Sequence, residues 1–266
     1  ESYDPDEIPD FESVLKLAQG SAGIPTMPLK WHYRSQHEHL ITFSNREFYE
    51  NELITYPGAI EKSDDLGVYF HHVPDGIYDR GGHKDNIVEA KKVVERMLFY
   101  AENYPHKTLG VVTFNTGQQY RIQVELEAAL NERPDLQAYF YAQKEDDRSS
   151  GYFVKNIESV QGDERDFIIF SVGFGKDQNG KLTMNFGPLN REGGYRRLNV
   201  AITRAKMRID VFSSITHQDF KHRQTGRGVK AFRSYLKFAE LGMQAFADEN
   251  SDHLMETESP FEEDVY

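Results

Sequence analysis

Apolar positions along the 266-residue chain follow two alternating periods. Residues 109–113 (Leu-Gly-Val-Val-Thr) and 167–172 (Phe-Ile-Ile-Phe-Ser-Val) are apolar runs too short for helices and read as strands buried on both faces. Residues 68–72, 153–157 and 209–213 read as further strands. Between them the period lengthens to that of a helix. Ile87, Val88, Val94 and Leu98 mark a helix over 85–104, and further helices are expected over 37–49, 117–131, 195–206 and 229–241. Phe11, Val14, Leu15 and Ala18 predict a short helix near the start, followed by a Gly- and Pro-rich loop over 20–28. Strands alternating with helices predict an α/β fold in three layers, a mostly parallel sheet flanked by helices. No internal repeat is evident, and no apolar run approaches the ~18 residues of a membrane span.

Composition narrows this picture. Hydrophobic residues make up 38% of the chain, and there is no cysteine. Disulfides, thiolate metal sites and cysteine nucleophiles are excluded, which suits a reducing compartment such as the cytoplasm. The chain does not begin with Met and carries no apolar leader at Glu1, so an excised piece of a longer protein is expected. The formal net charge of −12 would ordinarily argue against nucleic acid. Its distribution reverses that argument. Residues 1–12 and 243–266 hold fourteen acids and no Lys or Arg, whereas residues 190–233 hold eleven Lys or Arg against three acids.

Several segments could carry chemistry. Gly175-Lys-Asp-Gln-Asn-Gly180-Lys181 approaches a phosphate loop, but Leu182 stands where a Mg²⁺-binding Ser or Thr is required, and no helix can open after it. It reads as a surface loop, and the chain lacks a phosphate loop of its own. Trp31-His-Tyr33-Arg34-Ser35 pairs aromatics with a cation, an arrangement that could serve a base and a phosphate or be an ordinary surface. Residues 156–170 run from a strand through a Gly-containing loop into another strand, and loops at strand ends are where open α/β sheets bind ligands. In residues 195–206, Arg197 and Arg204 are expected on one face of a helix, with Leu198, Ala201, Ile202 and Ala205 on another.

In order, His32-Tyr-Arg-Ser35, Val111-Val-Thr-Phe-Asn-Thr-Gly-Gln-Gln119, Glu158-Ser-Val-Gln-Gly-Asp-Glu164 and Leu198-Asn-Val-Ala-Ile-Thr-Arg-Ala-Lys206 resemble superfamily 1 helicases. The resemblance is to the branch that includes the nonsense-mediated-decay and replication-nuclease helicases. It covers residues 28–215 and matches motifs IV to VI of the second RecA-like, P-loop-NTPase-like motor domain. It implies a domain layout of 1–27 as linker and short helix, 28–225 as the motor domain, and 226–266 as closing helix and acidic tail.

The resemblance implies ATP with Mg²⁺ as cofactor, held mainly by an upstream RecA-like domain of the same polypeptide. Arg34 and Arg204 would be arginine fingers, Tyr33 would stack on the adenine, Gly162 would admit the ligand, and Glu164 would bond the ribose. Thr113, Asn115, Gln118 and Ser159 would touch the backbone of single-stranded DNA or RNA, with Gln161 coupling track to nucleotide. His32 departs from the usual Gln, and Phe114-Asn115 departs from the usual Pro-Tyr. Residues 259–266 faintly resemble the opening of a restriction-endonuclease-like domain. Two other readings stay open: a module of the same fold that binds nucleic acid or a partner without unwinding, and a metal-dependent nuclease using His32, His37, Glu38 and His39 or His71 and His72. On a helix or a strand, however, those neighbours point apart.

Overall fold

The computed structural model describes residues 27, 29–55, 65–141, 151–220 and 226–247. The expected helix near residue 11, the acidic end beyond residue 247 and the segment 259–266 lie outside them. The chain divides into two compact units, residues 1–31 and 32–266, and the second holds the sheet, its helices and the candidate site.

Five strands form one sheet: β1 (Gly67–His72), β2 (Leu109–Thr113), β3 (Tyr152–Asn156), β4 (Arg165–Ser171) and β5 (Ala205–Ser213). Their spatial order is β1-β5-β4-β2-β3, and every pairing is parallel. The helices are α1 (His39–Tyr49), α2 (Ile87–Asn103), α3 (Thr116–Glu132), α4 (Gln137–Tyr141), α5 (Gly194–Ile202) and α6 (Arg227–Leu241). The expected α/β class and layered sheet are therefore observed.

The period-2 geometry of a strand explains why the central strands are apolar on both sides. Leu109, Val111, Phe167 and Ile169 face one core with α2, α3 and α4. Val112, Ile168, Phe170, Ile209 and Val211 face the other, with α1, α5 and α6. On this second face position 110 is a glycine, because an added Cβ would lie 2.5 Å from Phe153 and 2.8 Å from Ile168. The closing helix α6 belongs to that core, with Val229, Phe232, Tyr235, Leu236 and Phe238 buried in it. Asn86 and Asn115 cap α2 and α3, each accepting from the backbone N–H three residues on.

One expected boundary fails. The helix predicted over 195–206 stops at Ile202, and Ala205 already pairs with Arg165 in the sheet. Thr203 and Arg204 form the turn between. Helical spacing of apolar residues cannot see this, because the ladder to β4 claims the backbone from Ala205 onward. The expectation that Arg197 and Arg204 share a helical face is therefore wrong.

In a parallel sheet all strands share one direction, so the domain has two distinct rims. The residues just ahead of β4 and β5, Glu164 and Arg204, lie at the amino rim. Those just past β2, β3 and β4, including Asn115, Ser159 and Gly173, lie at the carboxyl rim.

Candidate functional site

At the amino rim, three separate segments meet. Arg34 donates from Nε to Glu164 Oε2 at 2.8 Å and from Nη1 to the Thr203 carbonyl at 3.1 Å. Lys206 Nζ lies 2.8 Å from the other carboxylate oxygen of Glu164. Gln36 N donates to the Lys206 carbonyl at 2.7 Å, pinning the Arg34 segment to the start of β5. The hydrogen bonds from Lys206 and Arg34 hold the Glu164 carboxyl below its ordinary pKa against a weaker effect of burial. Behind it, buried Arg165 donates to the Glu164 carbonyl at 2.7 Å and to the Gly151 carbonyl at 3.2 Å, fixing the backbone that presents the acid.

Arg204 is fastened to its own turn. It donates from Nε to the Val200 carbonyl at 2.7 Å, from Nη2 to Thr203 Oγ1 at 2.9 Å and from Nη1 to the Asp163 carbonyl at 3.4 Å. Burial, and then the like charge of Arg34, lowers its pKa from the ordinary arginine value. It stays charged all the same, because an arginine pKa starts so far above neutrality. Arg34, Arg204, Lys206 and Lys155 thus stand against the two carboxylates of Glu164 and Asp163, which leaves a local excess of positive charge. Tyr33, next to Arg34, is 84% exposed.

The connection from β3 to β4 carries the other candidates. Gly162 has φ +89°, a conformation that a side chain would strain, and open space where a Cβ would stand. Gln161 and Ser159 are exposed. Ser159 donates from Oγ to the Asn156 carbonyl at 3.0 Å, and Glu158 N donates to Asn156 Oδ1 at 2.9 Å, so Asn156 shapes the turn. Two of the expected strand-contacting residues lie deeper. Thr113 is fully buried with its hydroxyl on the Asn115 carbonyl. Gln118 is also fully buried, and its amide joins Asn86 and Ser171. Asn115 spends its Oδ1 on the Gln118 N–H as the cap of α3. The Thr113 hydroxyl and the Gln118 amide nitrogen, the groups able to donate to a phosphate, are thus spent inside the domain, whereas Asn115 Nδ2 is a buried donor without a hydrogen-bond partner.

Sequence reasoning does not assign Lys206 or Asp163, although both lie inside the quoted motifs. Their roles depend on what Glu164 and Arg204 meet, which spacing cannot reveal. Among the described residues, no group of three or more His, Asp or Glu side chains is placed to hold a metal ion. His37 and His39 meet edge to face at 4.6 Å between ring centres, and His71 contacts Asp210 at 2.6 Å. Among the described residues no helix is long and apolar enough to cross a membrane.

The family described as AAA domain matches residues 11–216. The chain belongs to that family. Two relatives align with 86% of its length: "Uncharacterized ATP-dependent helicase MG140" of Mycoplasma genitalium, 38% identical over 231 residues, and its homolog in Mycoplasma pneumoniae, 39% identical over 234 residues. The chain spans 20% of the length of each of these two relatives. A solved C-terminal domain of a possible DNA helicase from Lactobacillus plantarum covers 68% of this AAA-domain chain and 86% of its own, with 12% identity and a TM-score of 0.36.

Proposed function

We propose that this AAA-domain chain is the second motor domain of an ATP-dependent helicase or translocase acting on nucleic acid. The observation that carries the reading is the meeting of Arg34, Glu164 and Arg204 at one rim. Arg34 and Glu164, 130 positions apart in sequence, meet at 2.8 Å, and Arg204 lies close enough to Arg34 for their charges to repel, which supports a shared anionic ligand. The names of the relatives agree with it.

In this reading, ATP supplies the scissile phosphate bond, and its phosphates and Mg²⁺ rest mainly on a preceding motor domain of the same polypeptide. The residues here fit that division of labour. The positive rim suits phosphate oxygens, which guanidinium forks bind in pairs. Arg204, locked to its turn by three hydrogen bonds, is preorganised to face developing charge. Arg34 is only half committed and would exchange Glu164 for phosphate. Released from Arg34, Glu164 would turn an oxygen to a ribose hydroxyl, while exposed Tyr33 would cover the base. Single-stranded DNA or RNA would follow the carboxyl rim, touching Ser159, Gln161 and the backbone beside Asn115, with Thr113 and Gln118 supporting from behind. Such polar contacts to phosphate position a strand without reading its sequence.

The test uses the full-length protein. Strand-stimulated ATP hydrolysis should be present and should be removed by Arg204→Ala. Hydrolysis that persists unchanged in that variant overturns the assignment. Stimulated hydrolysis without strand separation would assign translocation alone. The isolated chain should hydrolyse no appreciable ATP, since the phosphate-holding half lies on another domain.

A further inference from the structure

The start of α5 carries a second concentration of positive charge, away from the nucleotide rim. Arg227 places its guanidinium 4.0 Å from the centre of the Tyr195 ring, and that of Arg196 lies 5.5 Å from the same ring. Arg196 Nε also donates to the Tyr195 hydroxyl at 3.0 Å. Two helices make this possible by touching at their first turns. A Cβ on Gly228 would fall 2.2 Å from the Leu189 carbonyl oxygen and 3.0 Å from Tyr195 N, so only glycine lets α6 approach α5 this closely.

On the neighbouring side, Arg191 and Arg197 both reach Glu158 Oε1, at 3.4 and 3.6 Å. One carboxylate thus faces two guanidiniums. Lys230, one turn beyond Arg227, is exposed. Among the described residues, Glu158 and exposed Glu192 are the acids that contact these cations or adjoin them in sequence. Among the described residues the cluster therefore gathers five cations beside two acids, on a chain whose net charge is −12. The cluster adjoins Ser159 through Glu158, so it continues the carboxyl-rim surface.

We propose that this Tyr195-centred patch is a docking site for the phosphodiester backbone of the translocated strand. The claim rests on the motor reading above and extends its track to residues that no motif assigns. Tyr195 holds two guanidiniums apart on a rigid ring, which lowers the entropic cost of presenting them to successive phosphates. Charge without base-edge chemistry gives sequence-independent, salt-sensitive binding. Helix α5 would then connect strand and nucleotide directly: its first turn holds Arg196 and Arg197, and the turn after its last residue holds Arg204.

The experiment measures binding of full-length protein to labelled oligo-dT and oligo-U by anisotropy across a salt series. Arg196→Glu with Arg227→Glu should weaken binding at least about tenfold at low salt. It should also flatten the log–log salt slope by about 0.7 for each phosphate that is no longer neutralised. Arg227→Lys should keep the slope, because the charge remains. If the double variant shows a lowered melting temperature, Lys230→Glu alone should still flatten the slope by about 0.7. Wild-type affinity and slope in all the reversal variants overturn the patch while leaving the motor intact. Loss of binding to poly-glutamate, with strand binding unchanged, also overturns it and assigns the patch to an acidic protein. A wild-type protein that binds neither oligonucleotide at low salt overturns the motor reading itself.

Discussion

Arg34 and Glu164, separated by 130 positions, hold each other at 2.8 Å across the amino rim of the sheet. Their side chains are 27% and 34% exposed, so the pair contributes at most about 1 kcal/mol to folding. A contact so weak is poorly suited to holding the fold and well suited to exchange. In the proposed motor, Arg34 would leave Glu164 for an arriving phosphate at little cost, while Lys206 would keep the acid compensated.

Arg204→Ala in the full-length protein should lower strand-stimulated ATP turnover by roughly 10³-fold or more, as expected for an arginine finger. Arg204→Lys should recover little of it, since Lys lacks the planar fork. Steady-state hydrolysis with and without strand checks this.

Glu164 should contribute a small acid-side dependence of stability. Its folded pKa lies below the ordinary carboxylate value of 4.5, held there by Lys206 and Arg34. The contribution is therefore present above that value and lost as pH falls through the folded pKa. Thermal melts from about pH 6 down to about pH 3 should show a smaller loss in Glu164→Gln than in wild type.

Glu89 should act in the opposite sense. It is fully buried, with Oε1 accepting from Ser171 Oγ and Gly173 N at 2.7 Å each and Oε2 without a hydrogen-bond partner. Burial pushes its pKa up to about 8 despite those donors. The folded state then binds a proton that the unfolded chain, with a carboxyl near 4.5, has released. Stability should fall as pH rises from about 4.5 to 8. Glu89→Gln keeps an acceptor for both donors, and its melting temperature should not fall with pH in that window.

Gly228→Ala should destabilise the domain although alanine favours helices. The new methyl would meet the Leu189 carbonyl at 2.2 Å, and backbone cannot step aside as a flexible side chain can. A loss of about 1–3 kcal/mol is expected from such overpacking, read from denaturant unfolding. Weakened strand binding should accompany it, since Tyr195 and Arg227 would move apart.

Local patterns make most of the fold legible. All five strands and helices α1, α2, α3 and α6 are where period-2 and period-3.6 spacing put them, because an element buried on known faces must display that burial in its residues. The short α4 is invisible to periodicity, since five residues hold too little of a helical period. The end of α5 escapes it because Ala205 satisfies a helix and a buried strand equally well, and only pairing with Arg165 decides between them. At the rim, motif order picks out Arg34, Glu164 and Arg204, but not that Glu164 is already held by Lys206.

The sequence by itself determined an α/β domain with buried central strands, acidic ends and segments that resemble the motifs of superfamily 1 helicases, because burial periodicity and residue chemistry are local properties of the chain. Only the tertiary structure decided which of those residues meet. It joined Arg34 to Glu164, sank Thr113 and Gln118 beneath the surface, and set Arg227 of one helix over Tyr195 of another. Each of these depends on strand order and helix approach, and those are fixed by packing between segments far apart in the chain.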